Sequence, residues 1–469
     1  MKKKILRATA VLISVCTFLL LFSCASEQSK ENVPEYDSSA QDYDSLNLNG
    51  YEFTFAASTH GSNYPLDPSY SDEVRGDKLL QRYRETESKF NVKINVINGC
   101  DMGTYMTKLA SGQKYADIML APLNNVFPTG YIQNGYFQPF SDMDIDLDSG
   151  LYGTPSIIEA GTFLGEAYGI VAYYWGIPVS DTAPAMWFNP VTLANFSQPS
   201  PHELDEQGVW NWETLEDICA KVFDESDPDK NNHVHAMAYT SEPYLELSAI
   251  YSNNGRIAQI GDDGKLYYTL NSPNVIEAME FLSHLKSVGY IIDGGDRQNI
   301  TPFVEDRYAF FMEYTHLSIN SESDSNLSYL MDHEYEWINF PIGPRGDENT
   351  LSTAISYHSR LFYSPINAPT DISELLLPFM FQPLPGETVE TWQDDFRSVN
   401  FYSDRSFEYF VKIRDNAFFD YSPYTPFTGD ITNALLKITR GTSTAAEALE
   451  QIESVVQSSL DRLYNDYVK

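Results

Sequence analysis

The chain has 469 residues, 42% of them hydrophobic and 14% aromatic, enough to build two ordinary domains with real cores. Its 66 acids outweigh 30 Lys and Arg to give a net charge of -36, so nucleic acid and anionic lipid are poor partners for its surface. Four Cys in a chain of this length make no disulfide framework.

At the start, Lys2, Lys3, Lys4 and Arg7 precede an apolar run, Ala8 to Phe22, shorter than the ~20 residues that span a bilayer. That pattern predicts a secretion signal over 1–23. The run closes on Leu21, Phe22, Ser23 and Cys24, which resembles the bacterial lipobox, although Phe22 is bulkier than the residue usual there. The resemblance implies a lipid on Cys24 and cleavage just before it. Ala25 to Asn49 carries six acids, one Lys and almost no aliphatic residues, so 24–49 is expected to be a flexible tether. Such a coil reaches roughly 25 to 30 Å. Cys16 falls in the signal, which leaves Cys100 and Cys219. Cys219 lies on the stripe Leu215, Ile218, Cys219, Val222 of a predicted helix and reads as a buried free thiol, a bridge to Cys100 being the alternative.

Beyond the tether, strands are predicted at Tyr51–Ala57, Val92–Ile97 and Ala116–Ala121, with helices at Asp77–Phe90 and about Tyr105–Ala110. Alternating strands and helices imply a parallel α/β sheet. Ligands of such sheets bind beyond the carboxyl ends of the strands, which nominates Ser58 and Thr59 after the first strand and Asn124 after the third. Ordinary loop polarity is the other reading of these three.

The segment Glu166 to Pro190 packs six aromatic side chains into twenty-five residues with no Lys or Arg. Tyr168–Ala172 and Ala185–Phe188 read as strands, with Tyr173, Tyr174 and Trp175 ending the first and Ser180, Asp181 and Thr182 between them. Aromatic faces beside hydroxyls and carboxylates suit a sugar pocket, with Trp175 as a wall. An aromatic core is the competing reading.

No metal is expected. Asp142, Asp144, Asp146 and Asp148 lack the turn Gly and closing Glu of a calcium loop. Asp227, Asp229 and Asn231 come nearer but have Asn232 and Ala238 at those places. His233 and His235 would share a face of a strand, yet no third ligand stands out. No cofactor motif is found, and the chain also lacks a GxSxG elbow, an HExxH helix, a P-loop and GxGxxG.

Along almost the whole mature chain the sequence resembles the family 1 extracellular solute-binding proteins, the sugar-type receptors of bacterial ABC importers. The match is carried by ADIML and GYFQPFSDM within 116–143, EAYGI with MWFNP, PHELDEQGVWNWETLEDI at 201–218 and SPNVIEAMEFLSHLKSVG at 272–289. FVEDRYAFFMEY at 303–314, FPIGPRG at 340–346 and the closing ITRGTSTAAEALEQIESVVQSSLDRL complete it. The resemblance implies a two-lobed, periplasmic-binding-protein-like (type II) α/β fold with hinge strands and a ligand cleft between the lobes. One lobe would be 50–168 plus about 345–404, the other 169–344 plus about 405–469. The first crossing would fall in the aromatic segment and the second near Trp337 to Gly346.

SEPYLE at 241–246 matches the place where the maltodextrin receptor of this family has the same Glu-Pro-Tyr touching sugar, which nominates Glu242 and Tyr244. Where that receptor has stacking Trp residues this chain has His316 and Ser318, which argues against maltodextrin and leaves Glu313, Tyr314 and His316 as contacts of another ligand. Trp175 and Tyr244 are expected as opposed walls. The expected protein is a monomeric receptor without enzymatic activity that captures a small solute, a mono- or oligosaccharide, and hands it to the membrane permease subunits. A same-fold receptor for a non-sugar solute such as a peptide, and a secreted glycoside hydrolase, are the alternatives.

Overall fold

The structure is a computed structural model, and it describes residues 46–57, 74–98, 102–175, 182–240, 242–295, 300–319, 327–347, 349–350, 352–415 and 417–469. The expected signal, nearly all of the tether, Cys24, Ser58, Thr59 and Cys100 lie outside the described residues. Among those described, no helix is long and apolar enough to cross a membrane.

Four strands, β1 (Tyr51–Ala57), β2 (Val92–Asn98), β3 (Ile118–Pro122) and β4 (Phe137–Gln138), lead to a hairpin of β5 (Thr162–Phe163) with β6 (Glu166–Ala167), then to β7 (Gly169–Ile170). The chain continues through β8 (Thr182–Ala183), β9 (Ala185–Phe188), β10 (Met237–Tyr239) and a second hairpin, β11 (Ala258–Ile260) with β12 (Leu266–Tyr268). It returns through β13 (Ile291–Asp293), β14 (Phe310–Glu313), β15 (Glu336–Ile338), β16 (Ala354–Ile355) and β17 (Arg360–Pro365).

A six-stranded sheet runs β2-β1-β3-β17-β4, with β7 also on β17. β1 is parallel to β2 and β3, as the alternation predicts, but β17 enters antiparallel to β3, so the sheet is mixed. Phe53 and Phe55 alternate into its core, and Tyr83 of the helix Val74–Phe90 stacks on Phe55. The second lobe centres on the antiparallel sheet β14-β9-β15 and on the parallel pair β10-β13. All four residues of β9 are buried, and Trp187 meets Trp337 of β15 edge to face. The helix Pro273–Ser287 turns Val275, Ala278, Met279, Leu282 and Leu285 inward at helical spacing. Thr444 and Glu447 close a capping box on the helix Ala445–Leu463.

Among the described residues, three chain segments pass between the sheets. β8 pairs antiparallel with β16, Thr353 Oγ1 donates to Pro184 O (3.1 Å), and Phe418 bridges Ala354 in parallel. Two sequence expectations are corrected here. The first lobe does not end at 168, because β7 still belongs to its sheet. The second crossing lies at 353–355, because Trp337 and Ile338 remain paired with β9 and Gly343 N still donates to Ser252 O. The C-terminal segment touches both lobes: Tyr424 packs on Phe127 and Tyr464 on Phe163 in the first, and Tyr268 Oη of the second donates to Leu449 O at 2.7 Å. Cys219 is a free thiol, fully buried, and burial pushes its pKa up.

Candidate functional site

At the carboxyl end of β3, Leu123 N and Asn124 N donate to Ser359 O and Tyr357 O, each at 2.9 Å. Because β17 runs antiparallel to β3, the residues that precede β17 are brought to this same end of the sheet. Asn124 Nδ2 lies 2.9 Å from His358 Nδ1. An amide nitrogen only donates, so His358 Nδ1 accepts and the neutral ring carries its proton on Nε2. Asn124 Oδ1 is buried with no hydrogen-bond partner among the described residues. The His358 ring rests on Tyr357 at 3.9 Å, and Tyr357 rests on Phe427.

The other lobe supplies two chain ends. β14 stops at Glu313, followed by Tyr314 and Thr315. β10 leads through Glu242 and Pro243 into the helix Tyr244–Ser252. Tyr244 meets Tyr314 at 4.7 Å between ring centroids, and Tyr314 meets His358 at 5.4 Å. One row of rings therefore joins the two lobes. Glu313 is buried and its Oε1 accepts from Tyr314 N (3.1 Å). Thr240 Oγ1 ties the turn by donating to Glu242 O at 3.2 Å. Tyr244, Tyr314 and Thr315 are buried, whereas Asn124, Glu242 and His358 are half-buried, so these three are the polar members partly open to solvent.

Of the residues nominated from sequence, Asn124, Tyr244 and Tyr314 are brought into this row, with Glu313 adjoining Tyr314 and Glu242 two residues before Tyr244. Ser58 and Thr59 lie outside the described residues, as does the side chain of His316, the first residue of the short helix His316–Ile319. Tyr357 and His358 were missed. Only their place in the fold reveals them: the amino end of an antiparallel strand sits at the carboxyl ends of its parallel neighbours.

Trp175 is not a pocket wall. It is 1% exposed, its indole N–H donates to Met380 O (3.1 Å), and it packs against Tyr83, Phe362 and Phe381 in the core of the first lobe. The pairing of Trp175 with Tyr244 as opposed walls falls with it, since Tyr244 belongs to the row on the second lobe. The last acid of SEPYLE, Glu246, is fully buried and accepts from Thr439 Oγ1 at 2.6 Å. Burial pushes its carboxyl up to about 7, against the pull of the Thr439 bond.

The calcium-like acid Asp227 spends its carboxylate inside its own turn, accepting from Asp229 N (2.8 Å) and Asn232 Nδ2 (3.0 Å). These bonds hold its pKa below the usual carboxylate range. His233 and His235 do acquire a third group, Glu225, with the ligand atoms of all three within 4.8 Å of one another.

A mixed sheet and an antiparallel sheet joined by crossing strands, with aromatic and polar side chains meeting between them, define a two-lobed binding protein. The chain belongs to the family described as bacterial extracellular solute-binding protein, which it matches over residues 80–383, well over half its length. Its place is therefore extracytoplasmic. No curated protein sequence matches the chain. Among solved structures it is similar to a cyclo/maltodextrin-binding protein complexed with maltotetraose, at 14% identity and TM-score 0.60 over 88% of this chain and 98% of that one. It is also similar to UgpB from Mycobacterium tuberculosis in complex with glycerophosphocholine, at 14% identity and TM-score 0.59 over 88% and 99%. A third is the GacH receptor of Streptomyces glaucescens, solved with acarbose, at 12% identity and TM-score 0.56 over 89% and 99%.

Proposed function

We propose that the protein is the lipid-anchored receptor of a bacterial ABC importer, working as a monomer, and that its solute is a neutral oligosaccharide. The observation that carries this reading is the ring row Tyr244, Tyr314, His358, which joins the lobes and is flanked by Asn124, Glu242 and Glu313 with no Lys or Arg among these residues. A pyranose offers an apolar C–H face to rings and a rim of hydroxyls to amides and carboxylates. An anionic solute calls for Arg or Lys donors. Two of the similar structures hold oligosaccharide-type ligands, maltotetraose and acarbose, which supports the reading, whereas UgpB holds a phosphodiester. The lobes close on the solute about the passage formed by β8, β16 and Phe418, a hinge built from few residues. Cys24, lipidated, holds the globule at the membrane, and the receptor returns its ligand intact to the permease.

The test is calorimetric titration of the purified protein with a panel of neutral oligosaccharides, with glycerophosphocholine and short peptides as the competing arms. Saturable binding of one oligosaccharide with no chemical turnover is expected. Binding confined to the phosphodiester or the peptides overturns the sugar assignment, and cleavage of the bound saccharide overturns the receptor assignment.

A further inference from the structure

The loop that precedes β10 folds back on itself through an antiparallel bridge between Asp224 and Val234, with N–H···O bonds of 2.9 and 2.8 Å in the two directions. That register sets Glu225 across from His233, and His235, two residues further on, falls on the same side. His233 Nδ1 and His235 Nε2 lie 3.7 and 3.8 Å from Glu225 Oε1.

The remaining nitrogen of each ring is fixed by the backbone. His233 Nε2 is 3.0 Å from Asp227 O, and His235 Nδ1 is 3.2 Å from Gly289 O. A carbonyl oxygen only accepts, so both of these nitrogens carry the proton and the facing nitrogens of the neutral rings present lone pairs. Two lone pairs and a carboxylate then converge at separations too long for hydrogen bonds, an arrangement that a cation between them stabilises. Backbone carbonyls that orient imidazoles from behind are the usual outer support of metal-bound histidines.

A tetrahedral ion with bonds of about 2.0 to 2.1 Å holds its ligand atoms about 3.4 Å apart, so the two imidazole nitrogens, within 4.8 Å of each other, need to close by at most about 1.4 Å, and Glu225 needs to approach each imidazole by only a few tenths of an ångström. Glu225, half of whose side chain is exposed, can make that adjustment. Hard calcium and magnesium ions call for shells of oxygen, whereas two imidazoles and one carboxylate suit zinc. We propose that Glu225, His233 and His235 form a binding site for a zinc-class divalent ion, with water in the fourth position. The ion closes the loop 224–235 on itself and holds the His235 ring in place for its bond to Gly289 O, which fixes the start of β10. The proposal is independent of the nature of the transported solute.

The test is titration of the metal-stripped protein with zinc chloride, read by calorimetry and by thermal melting, with cobalt as a spectroscopic stand-in and calcium as a control. One equivalent of zinc should bind and raise the melting temperature by several degrees at saturation. Cobalt should give the visible absorption of a four-coordinate site. Glu225→Ala and His233→Ala should each weaken zinc at least tenfold while the metal-free melt stays at the wild-type temperature. His233→Gln serves if the alanine variant fails to fold, and buried His235 is left intact. Absence of saturable binding, wild-type affinity in both variants, or calcium binding as tightly as zinc overturns the proposal.

Discussion

Replacing Glu246 with Gln isolates the effect of one buried carboxyl on stability. The side chain is fully buried in the helix Tyr244–Ser252, with Oε1 accepting from Thr439 and Oε2 without a partner among the described residues. Its pKa is about 7 folded against an ordinary value of 4.5. Below pH 4.5 both the folded and the unfolded chain hold the proton, and the contribution of the buried acid is fully present. Between 4.5 and 7 the unfolded chain ionises first, so it binds fewer protons than the native state and stability falls as pH rises. Across that window of 2.5 pH units the loss is about 3 kcal/mol, at about 1.4 kcal/mol per unit. Glutamine copies the protonated acid in shape and can still accept from Thr439, but it never ionises. Urea unfolding of the wild type and of Glu246→Gln at pH 4.5, 6 and 8 gives the difference directly, and every other titrating group cancels. The variant should gain about 3 kcal/mol on the wild type between pH 4.5 and 8, most of it before pH 7. A difference that stays flat refutes the reasoning, and one that falls shows that the attraction of Arg440 outweighs desolvation.

Trp175→Ala should cost ~3 to 5 kcal/mol in urea unfolding of the solute-free protein, the range for a buried Trp, while the remaining folded fraction binds its solute as the wild type does. A loss below about 1 kcal/mol would contradict its place in the core. Glu242→Gln changes one half-buried acceptor without changing shape, so solute affinity measured by calorimetry should fall about tenfold with an unaltered melt. Equal affinity would remove Glu242 from the site. Cys24→Ala should shift the protein from the membrane fraction to the medium or leave it unprocessed. A membrane-bound variant that matures to wild-type mass counts against the lipid anchor.

Where a signal is local, the sequence carried it to the residue. The alternation in YEFTFAA and the run AMWF placed β1 and β9 with their observed limits, since each strand is specified by its own side chains. Trp175 could not be settled that way, because an aromatic cluster looks the same in a pocket and in a core. What decides is the facing surface, and Phe362, Met380 and Phe381 come from some two hundred residues later. His358 was invisible for a related reason: only the antiparallel entry of β17 places it beside Asn124. Glu225 was nearer to hand. Reading 224–234 as a hairpin would have set it across from His233 without any tertiary information.

The ring row also constrains how a solute is held. Centroid separations of 4.7 and 5.4 Å are those of rings in direct contact, about 4.5 to 7 Å, with no sugar ring interposed. A solute therefore lies along the row or separates its members on entry. Tyr314 is buried against both Tyr244 and His358, one from each lobe, so separating the lobes exposes that aromatic surface to water. A pyranose face laid on the parted rings would restore the lost contact. Asn124 and Glu242, half-buried already, need little further ordering to meet its hydroxyls. On the proposed reading, the apolar rings favour closure and the polar side chains beside them select which solute is closed upon.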